Sequence, residues 1–397
     1  MLKNKIDFIF LIEHPKRELE FIKKVASNLT SYGYSVKIIS IHYHLIDVFF
    51  CKGSVILMPY CLDQSDFPFS VIPKKNNFKF INFNWEQLIG PITKSSKVIK
   101  RDARNVIQLY WSDDFKSFLK SESKIKEKNL VKSVNPGSYI LSNPVKNKNF
   151  LEYLKKLNFN KYYFLPVNYN WAMMSEKRIK SRLKLGYSKS DAETYVNYSK
   201  KHQLMFFDFV EELLKDGNVV VLRPHPGITT DNYKKKLFST NKFISKHPNF
   251  YLDDNFNAYD WINHAEYTVS NWSTLIHDAH FAGKKAALFW PEDIPTLIDS
   301  IANKSPHKIK NLNQLKSISK TNTTQAVNDN YFNFIKNLIT IKNKKINQNL
   351  SFRITKLDFL KIMRTLFYNL SFRFGLKFLI KKRILKDHFY KITYTKK

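Results

Sequence analysis

Cysteine, glycine and acidic residues are scarce in this chain. Its 397 residues include two cysteines, Cys51 and Cys61, and nine glycines. Two cysteines cannot form a disulfide framework or a cysteine-based metal site. We therefore exclude a small secreted domain held together by disulfides, and we expect a protein of a reducing compartment.

Sequence features that define several other protein classes are also missing. No apolar run approaches the ~20 residues that a membrane-spanning helix needs, and no signal-peptide cleavage pattern follows the short apolar run at residues 8–12. Residues 13–18 stand where a glycine-rich phosphate loop would follow the first strand, which argues against a Rossmann dehydrogenase or a P-loop enzyme. The Asp-X-Asp triplet of metal-dependent transferases does not occur, so we expect neither a metal nor a cofactor.

Basic residues are present in large excess. Lysine and arginine number 66 against 33 aspartates and glutamates, which gives a formal net charge of +33. Such a charge predicts an anionic partner: nucleic acid, anionic lipid, or a phosphorylated or acidic substrate. Because no zinc finger, aromatic RNA-binding motif or basic helix-turn-helix accompanies the charge, we do not expect a nucleic-acid partner. Heavy use of lysine, asparagine, isoleucine and phenylalanine is also typical of an AT-rich coding genome.

Strand-like and helical patterns alternate along the first part of the chain. Residues 6–12 predict a strand, residues 17–29 a helix and residues 36–41 the next strand, which together form a β-α-β unit. Further strands are predicted at residues 55–58, 78–83 and 106–111. This alternation is typical of an α/β domain with a mostly parallel sheet.

A second set of alternating elements begins with the strand-like residues 162–167. Ser190 and Glu193 then have the spacing of a capping box, which predicts the start of a helix. The apolar face of this helix continues to Lys215, and Gly217 ends it. We place the boundary between two domains after residue 155.

The strongest functional signal is the end of the apolar run at residues 219–222. A buried parallel strand fits this run. Pro224 and Pro226 prevent the chain beyond it from continuing the hydrogen-bond ladder of the sheet or from forming a helix. Arg223 and His225 are therefore predicted at the carboxyl end of a strand, which is the edge where open α/β sheets bind ligands. The alternative is that both side chains are solvated loop residues.

A hydroxyl-rich turn provides the second signal. Residues 267–270 predict a strand, and a helical pattern begins directly after the turn. Hydroxyl groups and free backbone amides at the start of a helix predict a phosphate site, although an ordinary helix cap has the same composition. The polar residues of this turn are Ser270, Asn271, Ser273 and Thr274.

Together these two motifs resemble the second domain of GT-B glycosyltransferases that use cytidine nucleotide donors. In the sialyltransferase, polysialyltransferase and Kdo-transferase families, a histidine-proline motif and a later serine/threonine motif hold the cytidine monophosphate of the donor. The CDP-glycerol phosphotransferases carry a similar pair. The resemblance covers about residues 6–295 and implies an α/β fold of two Rossmann-like domains, with mostly parallel sheets facing a central cleft. It implies a donor site formed by Arg223, His225, Pro226, Ser270, Asn271, Ser273 and Thr274.

Asp191 carries a further similarity. Retaining β-Kdo transferases of capsule and O-antigen assembly place an aspartate, followed by alanine, one helix and one strand ahead of the histidine-proline motif, as Asp191 precedes His225 here. That aspartate takes up the sugar, so the resemblance implies Asp191 as nucleophile, with His225 assisting the departing phosphate. The glycine usual before the aspartate is Ser190 here, and a capping box explains Ser190 without catalysis.

Three polar residues at predicted strand ends are candidates for contacting the hydroxyl groups of an acceptor. They are Glu13, Glu86 and Asn168. Such residues are also common as helix caps or solvated carboxylates. The resulting organisation is an acceptor-side domain at residues 1–155 and a nucleotide-sugar-binding domain at residues 156–330.

Beyond about residue 330 the composition changes. Phe359, Ile362, Leu366 and Leu370 share one helical stripe, with Met363, Phe367 and Phe374 beside it, and basic residues surround the stripe. This pattern predicts a basic amphipathic helical tail over residues 331–397 that binds anionic lipid. The alternative is a C-terminal helix packed on the core.

We therefore predict a metal-independent GT-B glycosyltransferase of bacterial surface polysaccharide synthesis. The predicted donor is CMP-Kdo, used with retention, and the acceptor is a lipid-linked lipopolysaccharide or capsule glycan. The predicted location is the cytoplasm, at the inner face of the cytoplasmic membrane. The alternatives are a polyol phosphotransferase of the CDP-glycerol or CDP-ribitol type, a sialyl- or polysialyltransferase, and a non-catalytic basic protein that binds lipid or nucleic acid.

Overall fold

The chain forms two compact units, each made of strands and helices. In a computed structural model, unit 1 comprises Met1–Gln87, Ser96–Pro136 and Asn328–Lys397, and unit 2 comprises Leu88–Ser95 and Gly137–Val327. The structure describes residues 6–42, 47–48, 51, 54–63, 78–87, 97–183, 188–225, 230–253, 255–293, 295, 305, 307–320, 324–346, 348, 363–364, 366–368, 370–371, 374 and 391–394.

Unit 1 is built on a seven-stranded sheet in the order β13-β2-β1-β3-β4-β5-β6. All neighbouring strands are parallel except β13, which pairs antiparallel with β2. Every residue of β1 is buried, as expected for a strand covered on both faces. The strands are β1 (Phe8–Ile12), β2 (Val36–Ser40), β3 (Val55–Met58), β4 (Lys79–Asn82), β5 (Ile107–Tyr110), β6 (Leu130–Lys132) and β13 (Lys391–Tyr394).

Among the described residues of unit 1, α1 (Pro15–Ser31), α2 (Asp113–Ser121) and most of α12 (Thr324–Asn343) accompany this sheet. The ring of Phe334 on α12 stacks on Phe21 of α1 at a centroid distance of 6.2 Å, and both side chains are fully buried. The predicted start of the tail at residue 331 therefore falls inside a helix that belongs to the core of unit 1. The sequence pattern did not show this because the contact between Phe334 and Phe21 joins two distant parts of the chain.

The end of the predicted tail is a strand rather than a helix. In β13, Ile392 lies opposite Ile38 and Tyr394 lies opposite Val36 of β2. Ile392 and Tyr394 point to one face, and alternation with β-branched and aromatic residues favours a strand. The prediction of a helical tail was therefore wrong for these residues, because β2 offers an edge that the local sequence does not reveal.

Unit 2 is built on a six-stranded parallel sheet in the order β12-β11-β10-β7-β8-β9. Two mainly parallel sheets, each accompanied by helices, confirm the predicted α/β class of two Rossmann-like units. The strands are β7 (Tyr163–Val167), β8 (Val220–Pro224), β9 (Phe250–Leu252), β10 (Tyr267–Ser270), β11 (Ala286–Phe289) and β12 (Lys308–Ile309).

The helices of unit 2 begin before the boundary that the sequence indicated. The ring of Phe150 on α4 packs edge-on against Trp261 at 4.8 Å, and Asn147 donates to the Asp260 carboxylate at 2.9 Å. Residue 155 therefore lies within a helix that packs on unit 2, although its lysines look like a linker in the sequence. The helices are α3 (Pro136–Ser142), α4 (Lys148–Lys156), α5 (Glu176–Leu183), α6 (Lys189–Lys215), α7 (Thr230–Thr240), α8 (Lys242–Lys246), α9 (Ala258–His264), α10 (Leu275–Phe281) and α11 (Leu312–Lys316).

Gly137 at the start of α3 allows a close approach between this helix and two side chains of unit 2. A Cβ atom at Gly137 would lie 2.2 Å from Oδ2 of Asp278 and 2.6 Å from Oη of Tyr259. We expect Gly137→Ala to destabilise unit 2 by about 1–3 kcal/mol, because Asp278 must move and lose the hydrogen bond from Tyr259. Chemical denaturation measures this change. The control Ser142→Ala on the same helix should be near neutral, and a Gly137→Ala protein as stable as the control would contradict the close contact.

Candidate functional site

The carboxyl edge of the unit 2 sheet brings together the motifs that the sequence singled out. Strands β7, β8 and β10 run parallel, so their carboxyl ends lie at one edge. Asn168, His225 and Asn271 each follow directly after one of these strands. Pro226, the other member of the predicted motif, lies outside the described residues.

Asn271 and Ser270 hold the strand ends together. The Asn271 side chain accepts a hydrogen bond from the Asn168 amide and donates one to the Asn168 carbonyl, both at 2.9 Å. Ser270 is fully buried, and its hydroxyl donates to the carbonyl of Pro166. These contacts give Ser270 and Asn271 a structural role in shaping the edge. They also place Asn168 in unit 2, beside the predicted donor residues.

Ser273 and Thr274 lie further out on the same turn. The Ser273 hydroxyl accepts a hydrogen bond from the Leu275 amide at 3.3 Å. Thr274 is exposed and precedes α10 without a side-chain capping hydrogen bond. Of the four predicted residues in this turn, Thr274 therefore presents the most accessible hydroxyl.

His225 is oriented by a residue outside the predicted donor site. The side-chain amide of Asn170 lies 2.8 Å from Nδ1 of His225. In the neutral tautomer with its proton on Nε2, Nδ1 of His225 can accept a hydrogen bond from the Asn170 NH₂ group. Oδ1 of Asn170 is buried and has no hydrogen-bond partner among the residues that the structure describes. The strand register accounts for this pair. Val167, the last residue of β7, lies opposite Pro224, the last residue of β8, so the loops that follow the two strands begin next to each other.

Arg223 is half-buried at the end of β8, and its guanidinium donates to the carbonyl of Phe256. The loop that contains Phe256 thus holds the arginine near the carboxyl edge. The Arg223 side chain therefore has a structural contact with Phe256, and its position at the edge is also suited to binding an anion.

Asp191 lies in the first turn of α6, where Ser188 caps the helix. The Ser188 hydroxyl accepts a hydrogen bond from the Asp191 amide at 3.0 Å. The predicted capping box of Ser190 and Glu193 was wrong, because the helix begins at Lys189, and Glu193 instead faces Lys189 at 3.9 Å. A carboxylate in a first turn also stabilises the helix through its dipole.

The first turns of α6 are attached to the loop that follows β7. The ring of Tyr195, one turn after Asp191, stacks on Trp171 at a centroid distance of 4.9 Å. Trp171 is the neighbour of Asn170, the partner of His225. The stacked pair thus connects the turn that carries Asp191 with the edge that carries His225.

His202, also on α6, is a buried histidine outside the predicted site residues. Its Nδ1 accepts from the Tyr169 hydroxyl at 2.9 Å, and its Nε2 lies 3.3 Å from the carbonyl of Phe289. Burial lowers the pKa of His202 to about 4, so the ring is neutral near pH 7. His202 therefore supports the packing behind the edge.

Unit 1 contains a cavity of about 270 Å³ at the carboxyl end of β1 and beyond β4. Glu13 follows β1 directly, and Glu86 lies four residues after β4. Two predicted acceptor-side residues therefore lie in one cavity. The other lining residues are His14, Arg17, Pro59, Tyr60, Leu62, Asn84, Trp85, Lys97 and Phe115.

A network of ion pairs forms one wall of this cavity. Arg17 donates to Glu86 at 2.7 Å and to Glu18 at 2.9 Å, and Lys97 lies 3.4 Å from Glu86. Burial disfavours the Glu86 carboxylate, but Lys97 and Arg17 outweigh this effect and lower its pKa. Local sequence patterns did not predict the roles of Arg17, Glu18 and Lys97.

Glu13 has a different environment from Glu86. Its backbone amide donates to the fully buried Glu18 carboxylate at 2.9 Å, which brings the two acidic residues together. Burial, and then the charge of Glu18, raise the pKa of Glu13 to about 7. A carboxylate in a cavity that titrates near neutral pH is suited to accept a proton from a bound hydroxyl group.

Two further properties concern only the part of the chain that the structure describes. Within it, no group of three or more histidine, cysteine, aspartate or glutamate side chains is placed to hold a metal ion. No helix in the same part of the chain is long and apolar enough to cross a membrane.

Comparisons with known proteins found no match to a protein-family model and no match among curated proteins. Among solved structures, the chain is similar to the wall teichoic acid polymerase TagF, with 11% identity, a TM-score of 0.47, and coverage of 92% of this chain and 89% of that chain. It is also similar to the UDP-GlcNAc 2-epimerase of Methanocaldococcus jannaschii, with 12% identity, a TM-score of 0.44 and coverage of 92% and 100%. A third similar structure is S. aureus MnaA with UDP, at 10% identity, a TM-score of 0.46 and coverage of 92% and 97%.

Proposed function

We propose that this protein is a GT-B glycosyltransferase of bacterial surface polysaccharide synthesis that uses a nucleotide-activated sugar. The observation that carries this proposal is the placement of polar side chains at the carboxyl edge of a parallel sheet in each unit, since ligands of α/β folds bind at such edges. Unit 2 presents His225 and Thr274 there, and unit 1 presents Glu13 and Glu86 in a cavity.

The donor we propose is CMP-Kdo, bound by unit 2. His225, Arg223 and Thr274 offer the hydrogen-bond donors that a departing phosphate needs, and a preorganised donor stabilises the charge that develops as the bond to the sugar breaks. The contact between Asn170 and His225 supports this role because it fits the tautomer that carries its proton on Nε2. Ser270 and Asn271 contribute by holding the edge in shape.

The acceptor we propose is a hydroxyl group of a lipid-linked lipopolysaccharide or capsule glycan, bound in the unit 1 cavity. Glu86, fixed by Arg17 and Lys97, accepts hydrogen bonds from sugar hydroxyls, and Glu13 takes the proton of the reacting hydroxyl. The excess of basic residues suits an acidic donor and an acidic acceptor at the inner face of the cytoplasmic membrane, where the protein acts peripherally.

Asp191 is our proposed nucleophile for transfer with retention. Its carboxylate forms a bond to the anomeric carbon as the bond to the CMP phosphate breaks, and the acceptor oxygen later displaces it. Incubation with CMP-Kdo followed by denaturing mass spectrometry should reveal a protein that carries one Kdo. This adduct should be absent from Asp191→Asn.

The asparagine variant keeps the backbone amide that Ser188 caps, so we expect it to fold normally. Asp208→Asn, an exposed position on the same helix, is the control and should retain the adduct. Full activity in Asp191→Asn would remove its role as nucleophile. Turnover of CDP-glycerol in place of CMP-Kdo would identify a polyol phosphotransferase, and salt-sensitive binding without any donor turnover would identify a non-catalytic basic protein.

A further inference from the structure

Trp85 contributes an aromatic ring to the wall of the unit 1 cavity. The ring stacks on Phe83 at a centroid distance of 4.4 Å, and Phe21 packs edge-on against it at 5.9 Å. Phe21 and Phe83 are fully buried, whereas Trp85 is half-buried. The core of unit 1 therefore holds the ring in place while part of it borders the cavity.

The loop that carries Trp85 is fixed to β5 on both sides of the tryptophan. Before it, Asn84 adopts a left-handed backbone conformation with φ of 54°, which asparagine tolerates better than most residues. The Asn84 side chain donates to the carbonyl of Leu109 at 3.1 Å. After it, the fully buried Gln87 donates to the same carbonyl at 3.2 Å and accepts from the Trp111 amide at 2.8 Å. These contacts set the position of the ring without help from a ligand.

The charges in the cavity differ from the strongly basic balance of the whole chain. Among the described lining residues, Arg17 and Lys97 are the permanent cations, and they contact Glu86 at 2.7 Å and 3.4 Å. The His14 ring lies 3.6 Å from the Glu13 carboxylate. An anionic group in the cavity would therefore compete with existing ion pairs and would face the carboxylates of Glu13 and Glu86.

On the basis of the proposed transferase function, we propose that the unit 1 cavity takes an uncharged pyranose ring of the acceptor glycan, stacked on Trp85. The C–H groups on one face of a pyranose form an apolar surface that packs against an aromatic ring, and an aromatic wall with a few placed polar groups is typical of small-ligand sites. The volume of about 270 Å³ lies below the about 300–1,000 Å³ of pockets for drug-sized ligands, which suits a single ring.

The two carboxylates of the cavity select against acidic sugars. They accept hydrogen bonds from the hydroxyl groups of a neutral ring, whereas a uronic acid would bring a third negative charge beside Glu13 and Glu86. Such a charge loses water without gaining a cation that is not already paired, which is a common way to reject a wrong ligand. The acidic groups of the acceptor therefore lie outside the cavity.

Ligand-observed NMR titrations of the full chain with sugars test this selectivity without any donor. The probes are the methyl glycosides of glucose, galactose and mannose, each compared with its matching methyl uronide, which differs only by a carboxylate at C6. At pH 8, where Glu13 and Glu86 are ionised, we expect the neutral member of at least one pair to bind. Its uronide should bind at least about tenfold more weakly, because like charges held close together are unfavourable.

Two substitutions of Trp85 test the stacking. Trp85→Leu keeps an apolar side chain against Phe83 but removes the flat ring, and it should weaken binding of the neutral glycoside by about five- to tenfold. Trp85→Phe should recover most of the affinity. Trp290→Leu, which changes a half-buried tryptophan of unit 2 outside the cavity, is the control and should bind as the wild type does. Circular dichroism should show the same folded content in all of these proteins.

Glu86→Gln tests the electrostatic part of the selectivity. This change removes one carboxylate and releases Arg17 and Lys97 from it, so the uronide should gain affinity relative to the neutral glycoside. A preference for the neutral glycoside that stays as large as in the wild type would show that the carboxylates do not cause it.

Several results would overturn the proposal: no binding of any neutral glycoside, a uronide that binds as tightly as its neutral counterpart, or unchanged affinity in a folded Trp85→Leu protein. Loss of CMP affinity in Trp85→Leu would assign the ring to a nucleotide instead. Failure of the transferase function gives a different pattern, in which Trp85 is needed for binding neutral sugars but no sugar is transferred from CMP-Kdo to an acceptor.

Discussion

Replacing Glu13 by glutamine should abolish most sugar transfer, with a loss of about 10²–10⁴-fold in rate, the usual contribution of a general base. The carboxylate must be ionised to accept a proton, and its pKa is raised to about 7. The wild-type rate should therefore rise as the pH increases through about 7 and level off above it. The variant should lack this rise. A pH series of CMP release from CMP-Kdo, with and without acceptor, measures both effects.

Glu13→Gln should also change stability in a way that does not depend on activity. The folded state holds a proton on Glu13 between pH 4.5, its ordinary pKa, and about 7, so this contribution to stability is present at low pH and is lost as the pH rises through about 7. Glutamine resembles the protonated form. Between about pH 5 and about pH 8, Glu13→Gln should therefore become more stable than the wild type, by about 1–3 kcal/mol.

Chemical denaturation at the two pH values checks this expectation. The matched control is Glu122→Gln, an exposed glutamate of unit 1 outside the cavity, which should show no such dependence. A constant stability difference between Glu13→Gln and wild type across the pH range would contradict the cavity environment. If Glu13→Gln showed the expected stability change but kept the wild-type pH-rate profile, the cavity environment of Glu13 would be correct and its catalytic role would be excluded.

His225→Ala should weaken the binding of cytidine monophosphate by about 10–100-fold. Hydrogen bonds to charged groups contribute about 1.5–3 kcal/mol each, and a phosphate bound by His225 would lose one of them. Isothermal titration with CMP measures the affinity. Asn170→Ala should give a smaller loss, because it frees the imidazole to rotate without removing it.

The chain offers a matched control in a second histidine-proline pair. His247 precedes Pro248, but it stands at the end of α8 and its Nδ1 accepts from the Asn249 amide. His247→Ala should retain full CMP affinity. Equal affinity in His225→Ala and wild type would remove His225 from the donor site, whereas a wild type that binds no CMP would overturn the choice of nucleotide.

Local sequence patterns were sufficient for the elements and for their order. The predicted helix at 17–29 corresponds to α1 (Pro15–Ser31), and the run at 219–222 corresponds to β8 (Val220–Pro224). Both were predictable because apolar periodicity is a property of neighbouring residues. The helix-strand order that places Asp191 before His225 followed from the same patterns.

Several features of the candidate site could not be predicted from local sequence patterns. Ser270 and Asn271 were predicted to bind the donor, and the structure gives their side chains hydrogen bonds to Pro166 at the end of β7 and to Asn168 directly after it, about a hundred residues away. The pKa of Glu13 is raised by its own burial and then by the charge of Glu18, and this environment includes Glu86 and Lys97 from a distant part of unit 1.

By itself, the sequence determined the two mainly parallel α/β units, the strand end at His225, the acidic residues after β1 and the strong basic charge. The tertiary structure decided that Glu13 and Glu86 share one cavity and that Asn170 orients His225. It also decided that the C-terminal residues form a strand at the edge of the first sheet. The physical reason is that strands and helices follow from local spacing, whereas hydrogen-bond partners, burial and pKa values depend on which distant segments pack together.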